Sequence, residues 1–319
     1  MRILTGLLLA VFSLLSCLSL DAQQDSRYSQ YMFNGLVLNP AYAGTIEGIT
    51  SATAVLRNQW VGFEGAPVTV SASIHSGLKK WEKIGLGLNL ENDRIGLNNR
   101  FNLFTSYSYK FRMGNGILSA GLQGGFVLLQ ANLADGQTPD VGPDPALENE
   151  FSFRPNFGAG LYYYSENFYA GLSVPHLLNY RLNGAGEEFA TENAENRLYM
   201  ITSGYLFELN DDVKIKPSTL LKYIPSGLEG GANLTQIDIN ASVYLKEMFM
   251  FGASYRTAQG FEAESMSFLI STRFENGLRF GYSYDHSLNG VTGHAGSHEV
   301  MIGFDINRDK GSALPLRFF

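Results

Sequence analysis

The sequence predicts an all-β protein: a transmembrane antiparallel β-barrel of about fourteen strands with a short N-terminal leader segment. Three observations carry that prediction. Apolar and small or polar residues alternate with the two-residue period of a strand along most of the chain. The connections between these strands are short at every second position and mostly long in between. Finally, beyond residue 22 the chain has no run of roughly 18 apolar residues that could form a spanning helix.

The chain begins with a single charge, Arg2, followed by the apolar run Ile3 to Leu20. That layout predicts a signal peptide over residues 1–22, cleaved after Ala22. Leu14-Leu15-Ser16-Cys17 loosely resembles a lipobox, so lipidation of Cys17 is the alternative; a retained helix would be short for a span. Cys17 is the only cysteine, and its removal leaves a mature chain without disulfide, thiol catalysis or a cysteine metal site.

Residues 23–45 form the predicted leader, a plug-like segment ahead of a barrel over residues 46–319. In Asp25 to Gly44, Tyr28, Tyr31, Met32 and Leu36 fall at helical spacing, but Asn34-Gly35 and Asn39-Pro40 interrupt it. Pro40 fixes its own φ and pushes Asn39 out of the helical region. The expectation is a short kinked segment ending in a turn over Ala41 to Gly44, packed against the strands after it or offered to a partner.

Strands are expected near 47–58, 66–76, 83–92, 97–111, 116–131, 152–164, 167–178, 196–209, 213–224, 231–245, 248–257, 261–274, 277–287 and 297–306. Ile84, Leu86, Leu88 and Leu90 alternate with Gly85, Gly87 and Asn89. Ile237, Ile239, Ala241, Val243 and Leu245 alternate with Asp238, Asn240, Ser242 and Tyr244, and the last two strands obey the same rule. A lipid-facing exterior and a wet interior require this pattern, although a soluble sandwich with its apolar faces turned inward would share it.

The connections discriminate. Lys79 to Glu82, Met113 to Gly116, Ser165 to Asn167, Asn210 to Asp212, Lys246-Glu247 and Glu275 to Gly277 are short. Asn115-Gly116 and Asn276-Gly277 tolerate the positive φ of tight hairpin turns. Trp60 to Gly65, Asn132 to Phe151, Asn179 to Glu195 and Leu288 to Gly296 are longer, and Thr257 to Gly260 is an exception. Short turns at one end and long loops at the other mark an outer-membrane barrel, with both barrel ends periplasmic and the long loops extracellular. Glycines on the inner face would let a leader approach the wall closely. Tyr162-Tyr163-Tyr164 suits an interfacial aromatic girdle, or ordinary strand content, and Lys79-Lys80 beside Trp81 an interface anchor.

The composition supports this class: 35 Gly, 22 Phe, 17 Tyr, a net charge of −7 and a mean hydropathy of −0.05. The negative charge argues against nucleic acid. No catalytic, cofactor or metal site emerges. His294 and His298 have i, i+4 spacing, but Gly293 and Gly296 argue against the helix a metal pair would need. Ser297-His298-Glu299 has the residue types of a hydrolase triad, but neighbours on a strand point to opposite faces. The acidic stretch Asp135 to Glu150 does not match a calcium loop and reads as a solvated external loop.

The leader YSQYMFNGLVLNPAYAG resembles the N-terminal signature of the PorP/SprF family of Bacteroidota outer-membrane proteins, as does Arg57-Asn58-Gln59-Trp60 followed by Gly65-Ala66-Pro67-Val68-Thr69. Pro155 to Asn179 resembles that family's central hairpin and Pro315 to Phe319 its C-terminal end, with Phe318 where a Tyr is common. The resemblance implies a non-enzymatic component of type IX secretion and gliding motility that helps export or anchor large adhesins bearing a C-terminal targeting domain. The implied partners are outer-membrane lipid, that cargo, the translocon and its periplasmic ring lipoproteins. Gln30, Tyr31, Asn39, Pro40, Tyr42, Arg57, Gln59 and Trp60 are the candidate contacts of the leader with the barrel or with a partner; turn chemistry at Asn39-Pro40 and interface anchoring by Trp60 are the plainer uses of such residues. A passive or solute-specific porin is the rival reading, and an outer-membrane lipase with Ser and His on different strands the enzymatic one.

Overall fold

The computed structural model describes residues 26–46, 48–78, 81–133, 149–178, 197–225, 233–258, 261–289 and 293–307. The predicted signal with Cys17, the start of the leader, Lys79-Lys80, most of the 135–150 loop, the whole 179–195 connection and Pro315 to Phe319 lie outside the described residues.

Strands dominate: β1 (Ile49–Asn58), β2 (Val68–Gly77), β3 (Ile84–Ile95), β4 (Asn98–Met113), β5 (Gly116–Ala131), β6 (Glu150–Tyr164), β7 (Phe168–Val174), β8 (Tyr199–Tyr205), β9 (Phe207–Glu208), β10 (Val213–Ile224), β11 (Leu234–Leu245), β12 (Phe249–Thr257), β13 (Ala263–Arg273), β14 (Leu278–Ser287) and β15 (Ser297–Asn307). Each pairs antiparallel with its neighbours, and β8 and β9 are two pieces of one run along β10, broken at Leu206. β15 closes on β1 from Ile49↔Asn307 to Asn58↔His298. The wall is therefore a closed barrel of 14 strand positions. Closure leaves no sheet edge, which is what a strand protein needs to cross a bilayer, where unpaired N–H and C=O groups find no water.

The alternation sorts as the periodicity predicts. Val70 and Ile74 of β2, Phe153, Phe157 and Leu161 of β6, Phe268 and Ile270 of β13, and Ile302, Phe304 and Ile306 of β15 are exposed on the outside. Their neighbours Ser71 and Ser73, Asn156, Ser267, and Met301 and Asp305 are buried inside. A greasy exterior over a largely polar inner face is the inverse of a soluble core.

Several boundaries differ for physical reasons. β3 runs to Ile95, so Gly96-Leu97 makes a tight hairpin at the end where long connections were expected, with Gly96 at φ 56°. β7 stops at Val174 because Pro175 has no N–H for the ladder. The tyrosine triplet is not one girdle. Tyr162 and Tyr164 are buried inside the barrel, and only Tyr163 turns outward, beside Phe168 with ring centroids 6.3 Å apart. Consecutive residues of a strand cannot share a face.

Candidate functional site: the leader inside the barrel

The interior is not simply wet. The leader lies within it, running from the end of the long connections to the short-turn end, where the chain enters β1. Its local structure arises directly from the sequence. Tyr31–Phe33 form a 3-10 turn, and Gly35–Leu38 a single α turn, α1. Asn39 then extends (φ −151°, ψ 117°), as a residue before proline must. Pro40–Tyr42 form a second 3-10 turn, and the Asn39 side chain caps it by accepting from the Ala41 N–H at 2.9 Å.

Such short helical pieces leave carbonyls unpaired, and a buried carbonyl needs a donor. Side chains of the wall supply it. Ser173 Oγ donates to Leu38 O at 2.6 Å, Ser108 Oγ to Ala43 O at 2.7 Å, and Lys110 Nζ to Gly44 O at 3.1 Å. Asn39 Nδ2 donates to the wall in return, to Leu161 O at 2.9 Å and Leu172 O at 3.3 Å. Inward glycines make the approach possible. A methyl group at Gly85 would overlap the Ala43 carbonyl, one at Gly121 the Ala41 backbone, and one at Gly160 the Asn39 side chain. Between these contacts Tyr31, Met32, Leu38 and Ala41 pack with Tyr162, Tyr164, Tyr169, Met200, Leu220, Met250 and Met301 of the wall. The Tyr42 ring meets His75 and Tyr162 edge-on, with centroids 5.2 and 5.5 Å away.

At the long-loop end the attachment is ionic. Arg57, next to last in β1, faces Glu299 directly across the β1–β15 pair. Its Nη2 donates to Asp285 at 2.7 Å and its Nη1 to Glu299 at 3.2 Å and to Ser29 Oγ at 2.8 Å. Glu299 accepts the backbone N–H groups of Ser29 and Gln30 at 2.9 and 2.8 Å. Ser29 Oγ donates to Asp285 at 2.6 Å, and Gln30 Nε2 to the Glu299 carbonyl at 3.2 Å. A second cross-strand pair, Arg256 with Asp238 at 2.7 Å, turns its Nη2 to Tyr28 O at 2.9 Å. Arg27 pairs with Glu264, and the Tyr28 hydroxyl donates to Glu91. Burial first, and the Glu91 charge second, push the Tyr28 phenol well above its ordinary range, so it remains a donor.

Of the sequence-predicted site residues, Gln30, Tyr31, Asn39, Pro40, Tyr42 and Arg57 meet at this leader–wall junction; Tyr31 does so with its hydroxyl 3.2 Å from Ser218 Oγ. Gln59 and Trp60 lie beyond it, in the β1–β2 connection. Gln59 N–H donates to Pro67 O at 2.9 Å, and Trp60 N–H to Ser297 Oγ at 3.1 Å, with the Trp60 ring 6.3 Å from that of His294. The carboxylates that hold the leader, Asp285, Glu299 and Glu91, were missed by the sequence reading. Each is an acid on the polar face of a strand, a signal that is visible but names no partner. Ser297 and Glu299 point inward and His298 outward to the Tyr282 hydroxyl at 2.7 Å, so that trio forms no triad. Among the described residues no group of three His, Cys, Asp or Glu is placed to hold a metal.

These features define a class: a membrane-spanning antiparallel barrel whose own N-terminal segment occupies its lumen. The family model described as type IX secretion system membrane protein PorP/SprF matches residues 20–304, and the chain belongs to that family. No curated protein matches the sequence. Among solved structures, the chain is similar to the outer membrane protein Omp33 of Acinetobacter baumannii, with a TM-score of 0.44, 6% identity, and coverage of 81% of this chain and 96% of that one. It is similar to the toluene transporter TodX of Pseudomonas putida, with a TM-score of 0.44, 11% identity, and coverage of 85% and 92%. For the monoaromatic hydrocarbon channel CymD the TM-score is 0.47 at 12% identity, with coverage of 85% and 91%.

Proposed function

We propose that this protein is a non-enzymatic outer-membrane component of the type IX secretion and gliding machinery of a Bacteroidota bacterium, assisting export or surface anchoring of large adhesin-type cargo. One observation carries the reading: the lumen is occupied by a leader held through ionic, hydrogen-bonded and backbone-close contacts along its length. A barrel filled in this way suits a platform for partners better than an open conduit. On this reading the long connections face outward as a surface for cargo, and both ends of the wall face the periplasm, where the translocon and the ring lipoproteins would be met. Gln30, Tyr31, Asn39, Pro40, Tyr42 and Arg57 act on partners indirectly, by setting the leader, while half-buried Trp60 stands at the rim above buried Gln59.

Deleting Gln23 to Gly44 tests it. Lost adhesin export with a normally inserted barrel supports the partner role, and a misfolded barrel makes the leader structural only. Conductance of the intact protein in planar bilayers separates the porin reading: a closed lumen is expected, and steady open channels would overturn the assignment. Lipase or protease activity of the purified protein would establish the enzymatic alternative instead.

A further inference from the structure

On the outer surface of the wall, the register of β2 to β6 shows where the bilayer stops. One outward row reads Ala72, Leu90, Leu103, Phe126 and Pro155, apolar throughout. The next row toward the long connections reads Val70, Asn92, Phe101, Leu128 and Phe153, and the one after it Val68, Arg94, Asn99, Gln130 and Phe151. On β3, β4 and β5 the wall therefore passes from hydrocarbon side chains to amides and a cation. That is the change a membrane strand makes where the acyl chains end.

An open hollow of about 380 Å³ lies at this boundary, lined by Asn92 and Arg94 of β3, Asn98 and Asn99 of β4, and Asn132 just past β5. The hairpin that carries it is pinned on both sides: Gly96 N–H donates to Gly65 O at 2.9 Å, and Asn132 N–H to Leu97 O at 3.0 Å. Gln130 Nε2 donates to Asn132 Oδ1 at 3.0 Å. Among the described residues, no hydrogen bond or ion pair engages the side chains of Asn92, Arg94, Asn98 or Asn99. Arg94 also departs from the way the barrel sorts its charges. Arg57, Arg154, Lys222 and Arg256, strand cations toward the same end, are buried in the lumen, and Arg100 turns there to Asn102. The acids nearest Arg94 on its own strand, Glu91 and Asp93, are buried on the lumen side as well.

We propose that this hollow binds the head group of a phosphorylated glycolipid of the adjoining leaflet, with a phosphate on Arg94, sugar hydroxyls on the asparagines and acyl chains lying over Leu90 and Leu103. A guanidinium fork matches two phosphate oxygens. Each carboxamide sets a donor beside an acceptor, which suits neighbouring hydroxyls of a sugar. A phospholipid with a plain glycerol head would serve Arg94 and leave most of the amides unused. The rows decide the source, because the apolar outer wall directly below the hollow is where the chains of a lipid lie and where a free sugar phosphate gains nothing. The inference rests on the membrane-spanning wall and not on the export reading, and in micelles its test is blind to which end faces outward.

The test uses the delipidated mature protein in micelles of octyl tetraethylene glycol, a detergent with neither phosphate nor sugar, read by native mass spectrometry. The probe is lipid A, an acylated glucosamine disaccharide bearing phosphates. Saturable binding is expected, about tenfold weaker for the same lipid stripped of its phosphates and for Arg94→Gln, the scale of one lost charge-assisted contact. Asn99→Asp sets a carboxylate directly across the β3–β4 pair from Arg94, where it repels phosphate. It is the independent variant should Arg94→Gln fail to fold, and it should also weaken binding about tenfold. Equal affinity for the two forms of lipid A, or unchanged affinity in either variant, would overturn the proposal. So would phosphatidylglycerol binding as tightly as lipid A, which would make Arg94 a general anchor for anionic lipid.

Discussion

The two ends of the leader are held by opposite means. From Ser26 to Gln30 the attachment is electrostatic: Glu299 and Arg256 bind main-chain groups, Arg57 and Asp285 hold the Ser29 hydroxyl, and Asp238 holds Arg256. From Asn34 to Gly44 it is steric, with one charged donor: glycines clear a path, and Ser173, Ser108 and Lys110 donate to the carbonyls of Leu38, Ala43 and Gly44. The contrast teaches how one segment can be fixed at both ends beyond the apolar packing of Tyr31, Met32, Leu38 and Ala41 against the wall. At the charged end side chains of the wall reach the leader's main chain, and Gly281 lies against the Gln30 side chain. Where backbone meets backbone there is no room for side chains, and only their absence permits contact.

The comparison breaks most strongly at Arg57. Its removal leaves Asp285 and Glu299 without that counter-charge in a buried site, and breaking a buried pair costs about 3–5 kcal/mol. Urea unfolding of Arg57→Ala in detergent micelles should show a loss of that size; a loss below about 1 kcal/mol would mean the cluster does not anchor the leader. Gly121→Val comes next, at about 1–3 kcal/mol, because a branched side chain is forced into the Ala41 backbone. Here the expected signature is local: faster proteolysis within the leader and a rise in bilayer conductance, with the barrel still inserted. Asn39→Ala removes a cap and two hydrogen bonds to the wall, and should destabilise by about 1–3 kcal/mol in the same unfolding assay. Asn39→Asp retains the cap, so it should recover part of that loss. Ser29→Ala is the mildest, near 1 kcal/mol, since Arg57 and Asp285 still hold each other. Combining Arg57→Ala with Gly121→Val sharpens the contrast further. Two regions with no shared partners should add to within about 0.5 kcal/mol, and a larger coupling would show that the leader responds as a single rigid piece.

Much of the wall was legible because a strand's side chains must alternate, and the alternation at Ile84 to Leu90 and Ile237 to Leu245 has no helical counterpart. Boundaries were blurred where a single residue decides them, as at Pro175 for β7 or at Gly96, which turns β3 into β4 within two residues. In the leader, Asn39-Pro40 announced a break, which the structure has, and the Asn39 side chain adds a cap that the sequence reading did not name. The sequence also suggested glycines facing a plug, but not that Gly85 would meet Ala43, Gly121 Ala41 and Gly160 Asn39. Tyr162 and Tyr164 read equally well as membrane-interface residues, and their burial depends on Tyr169 across the hairpin and on Tyr42 of a leader far earlier in the chain.

By itself the sequence determined a closed, outwardly greasy barrel and a kinked segment ahead of it, because local periodicity and proline geometry act over a few residues and need no partner. Only the tertiary structure decided that this segment lies inside the wall, gripped at one end by charges from β1, β11, β12, β14 and β15 and at the other by the glycine-lined inner face. Those contacts join residues as far apart as Ser29 and Glu299, and no short-range pattern records which inward-facing acid will meet which backbone N–H.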